Sequence, residues 1–301
     1  MSNLELIKEL RALTAAGMKT CKEALEESNW DLQKAIDVVK VKGLNLVSGS
    51  NKVASEGKVA IKDMVMVECN SNTDFVSNSH EFQKLTEMAA SSLFYRAIER
   101  RSNPDVLLGV DYTVMEACQN LSASTKENIS VRRYWVMDEN KEGESKVFSY
   151  VHSNGKIGVL LHLRGSNPAL TESLEFKALG EDLTMQIAAM SPLAVSKEDL
   201  KLEDVERQRK IFETQLIELK KPEASWSKII DGKFNKYYSD VCLVNQESIL
   251  SPKTTVQSYL DKVGEKYNGK VTVVNFVLCK VGEGLEQPTE QLAEEVAKLM
   301  K

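Results

Sequence analysis

The sequence predicts an α+β protein with a three-helix head, a two-part sheet-and-helix core, a protruding antiparallel helical hairpin and a C-terminal helix. Three observations predict it. The first forty or so residues hold three short runs of apolar residues at helical spacing. Further on, two pairs of strand-like runs meet at turn chemistry, near Asp63 and at Ser153-Asn154-Gly155. Leu202, Val205, Phe212, Leu216 and Leu219 then recur at spacings of three, four and seven. Lys221-Pro222 interrupts, and Trp226, Ile229 and Ile230 resume on a shorter helix, which is the pattern of a hairpin with a coiled-coil-like seam.

Residues 1–45 read as the head. Leu6, Ile7, Leu10 and Leu13 share one helical face, and Gly17 breaks that helix. Thr20 and Glu23 stand at capping-box spacing, which starts a second short helix with Ala24 and Leu25 inward. Asp31 caps a third, whose Leu32, Ala35, Ile36 and Val39 fall at i, i+3, i+4 and i+7, and Gly43 ends it. So small a bundle has a marginal core and is expected either to dock on something or to be mobile.

A linker rich in Ser, Asn and Gly (46–57) leads to the N-terminal part of the core, 58–140. That part is expected to hold strands from Lys58 to Lys62 and Met64 to Glu68, then a long helix from about Ser79 carrying Phe82, Leu85, Ala89 and Leu93. A helical stretch with Val106, Val110, Val114, Ala117 and Leu121 leads to a strand from Val131 to Met137. The C-terminal part of the core (141–200 and 233–282) holds strands from Val147 to His152 and Lys156 to Leu163, and a helix marked by Phe176, Leu179, Leu183 and Ile187. Strands return from Val241 to Val244 and from Val271 to Cys279. The hairpin occupies 201–232. Val281-Gly282-Glu283-Gly284 turns into a last amphipathic helix, 283–301, with Leu292, Val296 and Leu299.

Composition narrows the function. A net charge of −5 argues against nucleic acid as a direct partner, because phosphate binding needs a concentrated basic face. No apolar run approaches the roughly 18 residues of a membrane span, so no membrane partner is expected. The charged stretch from Met1 to Leu13 has neither the apolar core nor the cleavage site of a secretory signal. Cys21, Cys69, Cys118, Cys242 and Cys279 are odd in number and widely spread, which suits a reducing compartment rather than a disulfide framework. A cytoplasmic location is expected, with a mitochondrial or plastid matrix after transit-peptide removal as the alternative.

No motif commits the chain to catalysis. GxxxxGK[ST], GxGxxG after a strand, HExxH and GxSxG are all absent. His80, His152 and His162 are too scattered for a metal site. Cys21 lacks a basic or orienting neighbour in sequence, so helix packing is its better role. The expected mode of action is binding, with no catalytic residue, no metal and no cofactor.

The segment Leu10-Arg11-Ala12-Leu13-Thr14-Ala15-Ala16-Gly17-Met18-Lys19-Thr20-Cys21-Lys22-Glu23-Ala24-Leu25, continued by Asn29 to Val39, and the segment Val67-Glu68-Cys69-Asn70-Ser71-Asn72-Thr73-Asp74-Phe75-Val76 resemble the two signatures of the elongation factor Ts family. The heart of the second is T-D-F-V after a strand. Glu127-Asn128-Ile129-Ser130-Val131-Arg132-Arg133, the turn from Tyr150 to Gly158, and Val281-Gly282-Glu283-Gly284-Leu285 are supporting matches. The head alone is a weak signal, but these matches in this order and spacing are specific together. The likeness spans nearly the whole chain and is faint from Ser91 to Thr125 and from Glu203 to Gly232. Asn72 stands where a cysteine is usual and Lys126 where a glycine is common. Ser153-Asn154 and Lys156 replace a glycine pair and an arginine.

The resemblance implies a ubiquitin-associated-like head and a non-enzymatic nucleotide-exchange factor whose partner is the GTPase elongation factor Tu, GDP-bound or nucleotide-free. In the family the T-D-F-V segment disturbs the GTPase's magnesium site, a role that falls here on Thr73, Asp74, Phe75 and Val76, expected on a loop. Read without the resemblance, Thr73 or Asp74 is a turn former and Phe75 an intramolecular core anchor. Lys8, Met18 and Lys22 are candidates to meet the partner's nucleotide-binding domain. The alternative is that Met18 packs within the bundle and the lysines are solvated. Ile129, Arg132, Arg133, His152 and Gly155 lie where the family faces another domain of the partner; the alternative is ordinary sheet packing with solvated arginines. The hairpin resembles a projection used by some members for self-association, while Phe212, Leu216, Leu219 and Trp226 read as its internal core.

Overall fold

Three amphipathic helices open the chain in the computed structural model, which describes residues 2–14, 16–48, 53–103, 108–137 and 144–285. They are α1 (Asn3–Thr14), α2 (Met18–Glu27) and α3 (Leu32–Ser48). Leu10, Cys21, Ala24, Leu25 and Ala35 close into a core between them. The head departs from the sequence reading in three places. Gly17, in extended conformation, is the N-cap of α2, so the helix begins at Met18 rather than at the Thr20–Glu23 pair. Leu13, assigned to the buried face of α1, is 61% exposed. Gly43 does not end α3, which runs on to Ser48.

The hairpin of β1 (Glu56–Lys62) and β2 (Val65–Ser71) pairs from Lys62↔Val65 to Glu56↔Ser71. It turns at Asp63, whose φ of 49° is a left-handed conformation that Asp tolerates. Then follow the single turn α4 (Asp74–Ser77), α5 (His80–Ser102), α6 (Tyr112–Thr125) and β3 (Ser130–Val136), which pairs antiparallel to β2 and completes a sheet of order β1-β2-β3. As the spacing predicts, Phe82, Leu85, Ala89 and Leu93 are buried, on a helix that packs over β1 and β2. The head is docked: α3 packs along α6, and Lys40 pairs with Glu116 at 3.2 Å. A helical glycine costs only about 1 kcal/mol, too little by itself to stop α3 at Gly43.

The central strand β2 is buried along its whole length, and it carries a carboxylate. Glu68 opposes Arg133 in β3 while Cys69 opposes Val131, so Arg132 is the extra residue of a β-bulge. Successive strand residues normally face opposite sides of a sheet. The bulge cancels that alternation and brings two consecutive arginines to one carboxylate. Arg132 Nη1 donates to Glu68 Oε1 at 3.0 Å and Arg133 Nε to Oε2 at 2.5 Å. The Gly282 N–H adds a third bond to Oε1 at 2.8 Å, and Arg133 Nη2 donates to the Lys280 carbonyl at 3.1 Å. Burial alone would raise the Glu68 pKa; the Gly282 amide and the two guanidiniums outweigh it and hold the carboxyl below its ordinary value.

By its contacts the chain divides into two units, residues 1–136 with 151–158 and 279 onward, and residues 137–150 with 159–278. The second is organised on β4 (Glu144–Val151), β5 (Ile157–Gly165) and β6 (Val271–Lys280), with β5 in the middle. Between β5 and β6 the chain forms α7 (Pro168–Thr171), α8 (Leu174–Met190), α9 (Leu202–Glu218), α10 (Trp226–Val241) and α11 (Val256–Lys266). Leu161 and Leu163 from the sheet meet Phe176, Leu179, Leu183 and Ile187 from α8, the predicted helix face.

The hairpin of α9 and α10 encloses its own small core of Phe212, Leu216, Ile230 and Phe234, with Trp226 packed against it. The structure differs from the sequence expectation in this region and just after it. Leu219, expected in the seam, is exposed, as is Leu202. The second helix is nearly as long as the first, 16 residues against 17, and runs through Val241. The strand expected from Val241 to Val244 is therefore absent; Leu243–Asn245 is a short 3-10 turn, and only the bridge Ala194↔Cys242 remains of it. Helix α11, with Val256 and Leu260 buried, was not anticipated. Val106 and most of the expected terminal helix lie outside the described residues. The fold is α+β, with the three N-terminal helices expected of the head.

Candidate functional site

The site is built where β2 gives way to helix. Thr73, in extended conformation, is the N-cap of α4, and its Oγ1 accepts the Val76 N–H at 3.3 Å. The Ser77 Oγ donates back to the Asp74 carbonyl at 3.0 Å. Asn78 closes the turn, and Ser79 caps α5 by accepting the Phe82 N–H at 3.3 Å. Thr73 to Val76, expected on a loop, thus form one turn of helix. Successive helical residues are rotated by about 100°. With Val76 and Ser77 facing inward, Asp74 and Phe75 must face out. The Phe75 ring is 87% exposed, so the alternative of an intramolecular core anchor is excluded, while Val76 at 8% is an anchor of the turn.

What holds this turn from outside is Glu127. Its Oε2 accepts the N–H groups of Asn72 at 3.1 Å and Thr73 at 3.0 Å, and its Oε1 accepts the Thr73 hydroxyl at 2.7 Å. In return the Asn128 N–H donates to Asn72 Oδ1 at 2.6 Å. The T-D-F-V and E-N-I segments, 54 residues apart in sequence, are therefore one structure. In the sequence, Glu127 and Asn72 stand out only as a motif member and a departure. The available signal was a lone carboxylate just past a helix end, which is not specific by itself.

Lys126 ends α6 with φ 61°, in the left-handed conformation that suits glycine at a helix C-terminus. Its N–H donates to the Ser122 carbonyl at 2.8 Å.

The other expected contact residues divide. Met18 is 46% exposed at the start of α2 rather than packed in the bundle. Lys8 and Lys22 are exposed, and Lys22 pairs with Glu26 at 3.7 Å. His152 is exposed on the turn after β4 and lines an open cleft of about 460 Å³ with Lys58, Gln83 and Glu87. Gly155 occupies φ 68° in that turn, and its carbonyl accepts the Val59 N–H at 2.8 Å. Ile129 is buried, and its N–H donates to Ser122 Oγ at 3.1 Å, so its side chain belongs to the core rather than to a contact surface. Arg132 and Arg133 are only partly exposed rather than on a solvated face, and both are committed to Glu68. Among the described residues no group of three or more His, Cys, Asp or Glu could hold a metal ion.

Comparison with known proteins bears on the same segments. The family model described as elongation factor TS matches residues 72–283, and a UBA-like domain model matches residues 1–39. The chain is 34% identical over 307 residues to the elongation factor Ts of Syntrophotalea carbinolica, covering 98% of each chain. It is 35% identical over 313 residues to that of Clostridium perfringens, covering 99% of each. To that of Symbiobacterium thermophilum it is 34% identical over 302 residues, covering 98% of this chain and 96% of the relative.

Proposed function

This chain belongs to the elongation factor Ts family, and from that premise we propose that it binds the GDP form of elongation factor Tu and promotes GDP release during translation elongation. The single turn from Thr73 to Val76 is the part that disturbs the GTPase's magnesium and phosphate site. The observation that carries this reading is the display of Phe75, a large ring 87% exposed on a turn whose neighbouring residue is buried.

A GTPase holds GDP through backbone amides around the phosphates and a magnesium ion. Whatever the factor does to that affinity, nucleotide must do equally to the affinity for the factor. A thousandfold faster release asks for about 4 kcal/mol off the exit barrier. Burying one phenyl ring supplies roughly 1.5–3 kcal/mol. The ring alone therefore falls short. Asp74, exposed beside it, adds a negative charge next to the metal's shell, and a wider interface provides the remainder. Met18, Lys8 and Lys22 on the head and His152 beside Gly155 are exposed in the way such an interface needs. The role is non-enzymatic: the chain changes an affinity and transforms no substrate. Exposed Leu202, Ile217 and Leu219 on the hairpin support self-association there as a separate activity.

The test is stopped-flow release of fluorescent GDP from elongation factor Tu. Saturating protein is expected to accelerate release strongly, and Phe75→Ala to remove most of that acceleration while leaving binding largely in place. Unchanged release at saturating protein defeats the proposal.

A further inference from the structure

We propose that Glu127 is a positioning residue for nucleotide exchange, its carboxylate fixing the turn that presents Phe75. The inference deepens the function proposed above and rests on it. Glu127 contacts no partner in this scheme and acts only through the turn.

The need for such a residue comes from the size of α4. A helix of 4 residues cannot sustain itself, because ordering its first turn fixes several residues for a single hydrogen bond. Its inner side is anchored by Val76 and Ser77, both buried. Its N-terminal side, which sets the direction of Asp74 and Phe75, is exposed and would be free to fray. Three donors there converge on the two oxygens of Glu127, from the Asn72 N–H, the Thr73 N–H and the Thr73 hydroxyl. All three are charge-assisted bonds, the stronger kind. The hydroxyl bond does more than tether. By drawing the Thr73 proton toward Glu127, it leaves a lone pair of Oγ1 aimed at the Val76 N–H, so the cap of α4 is oriented by a residue from the end of α6.

The consequence is kinetic. If loss of Glu127 leaves the turn in its competent geometry about a tenth of the time, exchange slows by about tenfold. The rate of fluorescent GDP release from elongation factor Tu, with the full chain, tests this with Glu127→Ala, Glu127→Gln, Phe75→Ala and the Glu127→Ala/Phe75→Ala pair. The expected pattern is a drop of about tenfold for Glu127→Ala in maximal rate with a small change in Tm. Glu127→Gln, whose amide oxygen still accepts the two N–H groups, recovers most of the rate. Glu127→Ala costs much less once Phe75 is gone, when only Asp74 is left on the turn to be positioned.

A wild-type rate for Glu127→Ala, in a protein where Phe75→Ala slows release, overturns the positioning role and leaves the ring's role standing. Losses that multiply in the double variant, or that follow the fraction of unfolded protein, overturn it as well. An inert Phe75→Ala sinks the parent reading itself. Thr73→Val, which deletes only the hydroxyl, guards against a misfolded Glu127→Ala: it is expected to slow release by a smaller factor, and a wild-type rate there overturns the orienting bond.

Discussion

Arg133 and Arg132 donate to opposite oxygens of the buried Glu68 from adjacent positions of one strand, Nε at 2.5 Å and Nη1 at 3.0 Å. Only the bulge at Arg132 makes this geometry available to consecutive residues. Both guanidiniums also reach carbonyls near the end of the described chain, those of Lys280 and Glu283. Removing the carboxylate leaves two partly buried cations facing each other. Glu68→Ala is therefore expected to destabilise the protein by roughly 3–5 kcal/mol in urea unfolding.

The same carboxyl predicts a pH dependence. Its pKa in the folded chain lies below the ordinary value of 4.5. The unfolded chain thus binds this proton more readily, and the stabilisation is full above the unfolded pKa. It is expected to fall away as pH drops below 4.5 through the folded value. Denaturation midpoints measured from neutral to acidic pH should show the loss in the wild type and a flatter profile in Glu68→Gln.

Phe75 and Val76 are neighbours with opposite expectations. Phe75→Ala removes a ring already in water and should change stability by less than about 0.5 kcal/mol. Val76→Ala empties part of the anchor and should cost about 2 kcal/mol. Thermal unfolding of the two variants, set beside their GDP-release rates, separates display from support.

Lys126 holds a left-handed conformation that costs a non-glycine residue roughly 1–2 kcal/mol. Lys126→Gly is expected to raise stability by about 0.5–1 kcal/mol, after allowing for glycine's greater freedom in the unfolded chain. The backbone bond to Ser122 should survive, and with it the adjacent Glu127. A lower unfolding midpoint for this variant would contradict the assignment of strain to that residue.

All five cysteines are buried and free. Burial pushes the thiols of Cys69 and Cys279 up to about 12. An aromatic disulfide reagent at pH 8 should find no fast-reacting thiol in the native protein and five after denaturation. A rapid native-state reaction would contradict the burial.

The sequence carried the long elements well because their periodicity is set by burial. Phe82 to Leu93 and Phe176 to Ile187 became the buried faces of α5 and α8 as their spacing requires. It carried the T-D-F-V segment as a connection between a strand and a helix, but not its conformation, since a single turn has no period to read. The strand expected at Val241 failed because four apolar residues look alike as strand or helix end. Arg132 and Arg133 misled because a bulge breaks the alternation on which facing is judged. Glu127 escaped because two of its three donors are backbone amides, which leave no trace in side-chain pattern, and the third, the Thr73 hydroxyl, lies 54 residues away.

The hairpin of α9 and α10 keeps its apolar centre to itself, Phe212, Leu216, Ile230 and Phe234 meeting one another. A projection so provisioned is separable in inheritance: mutation can lengthen, shorten or exchange it without disturbing what lies beneath. That freedom suits the stretch from Glu203 to Gly232, one of the two where the sequence resembles the family only faintly.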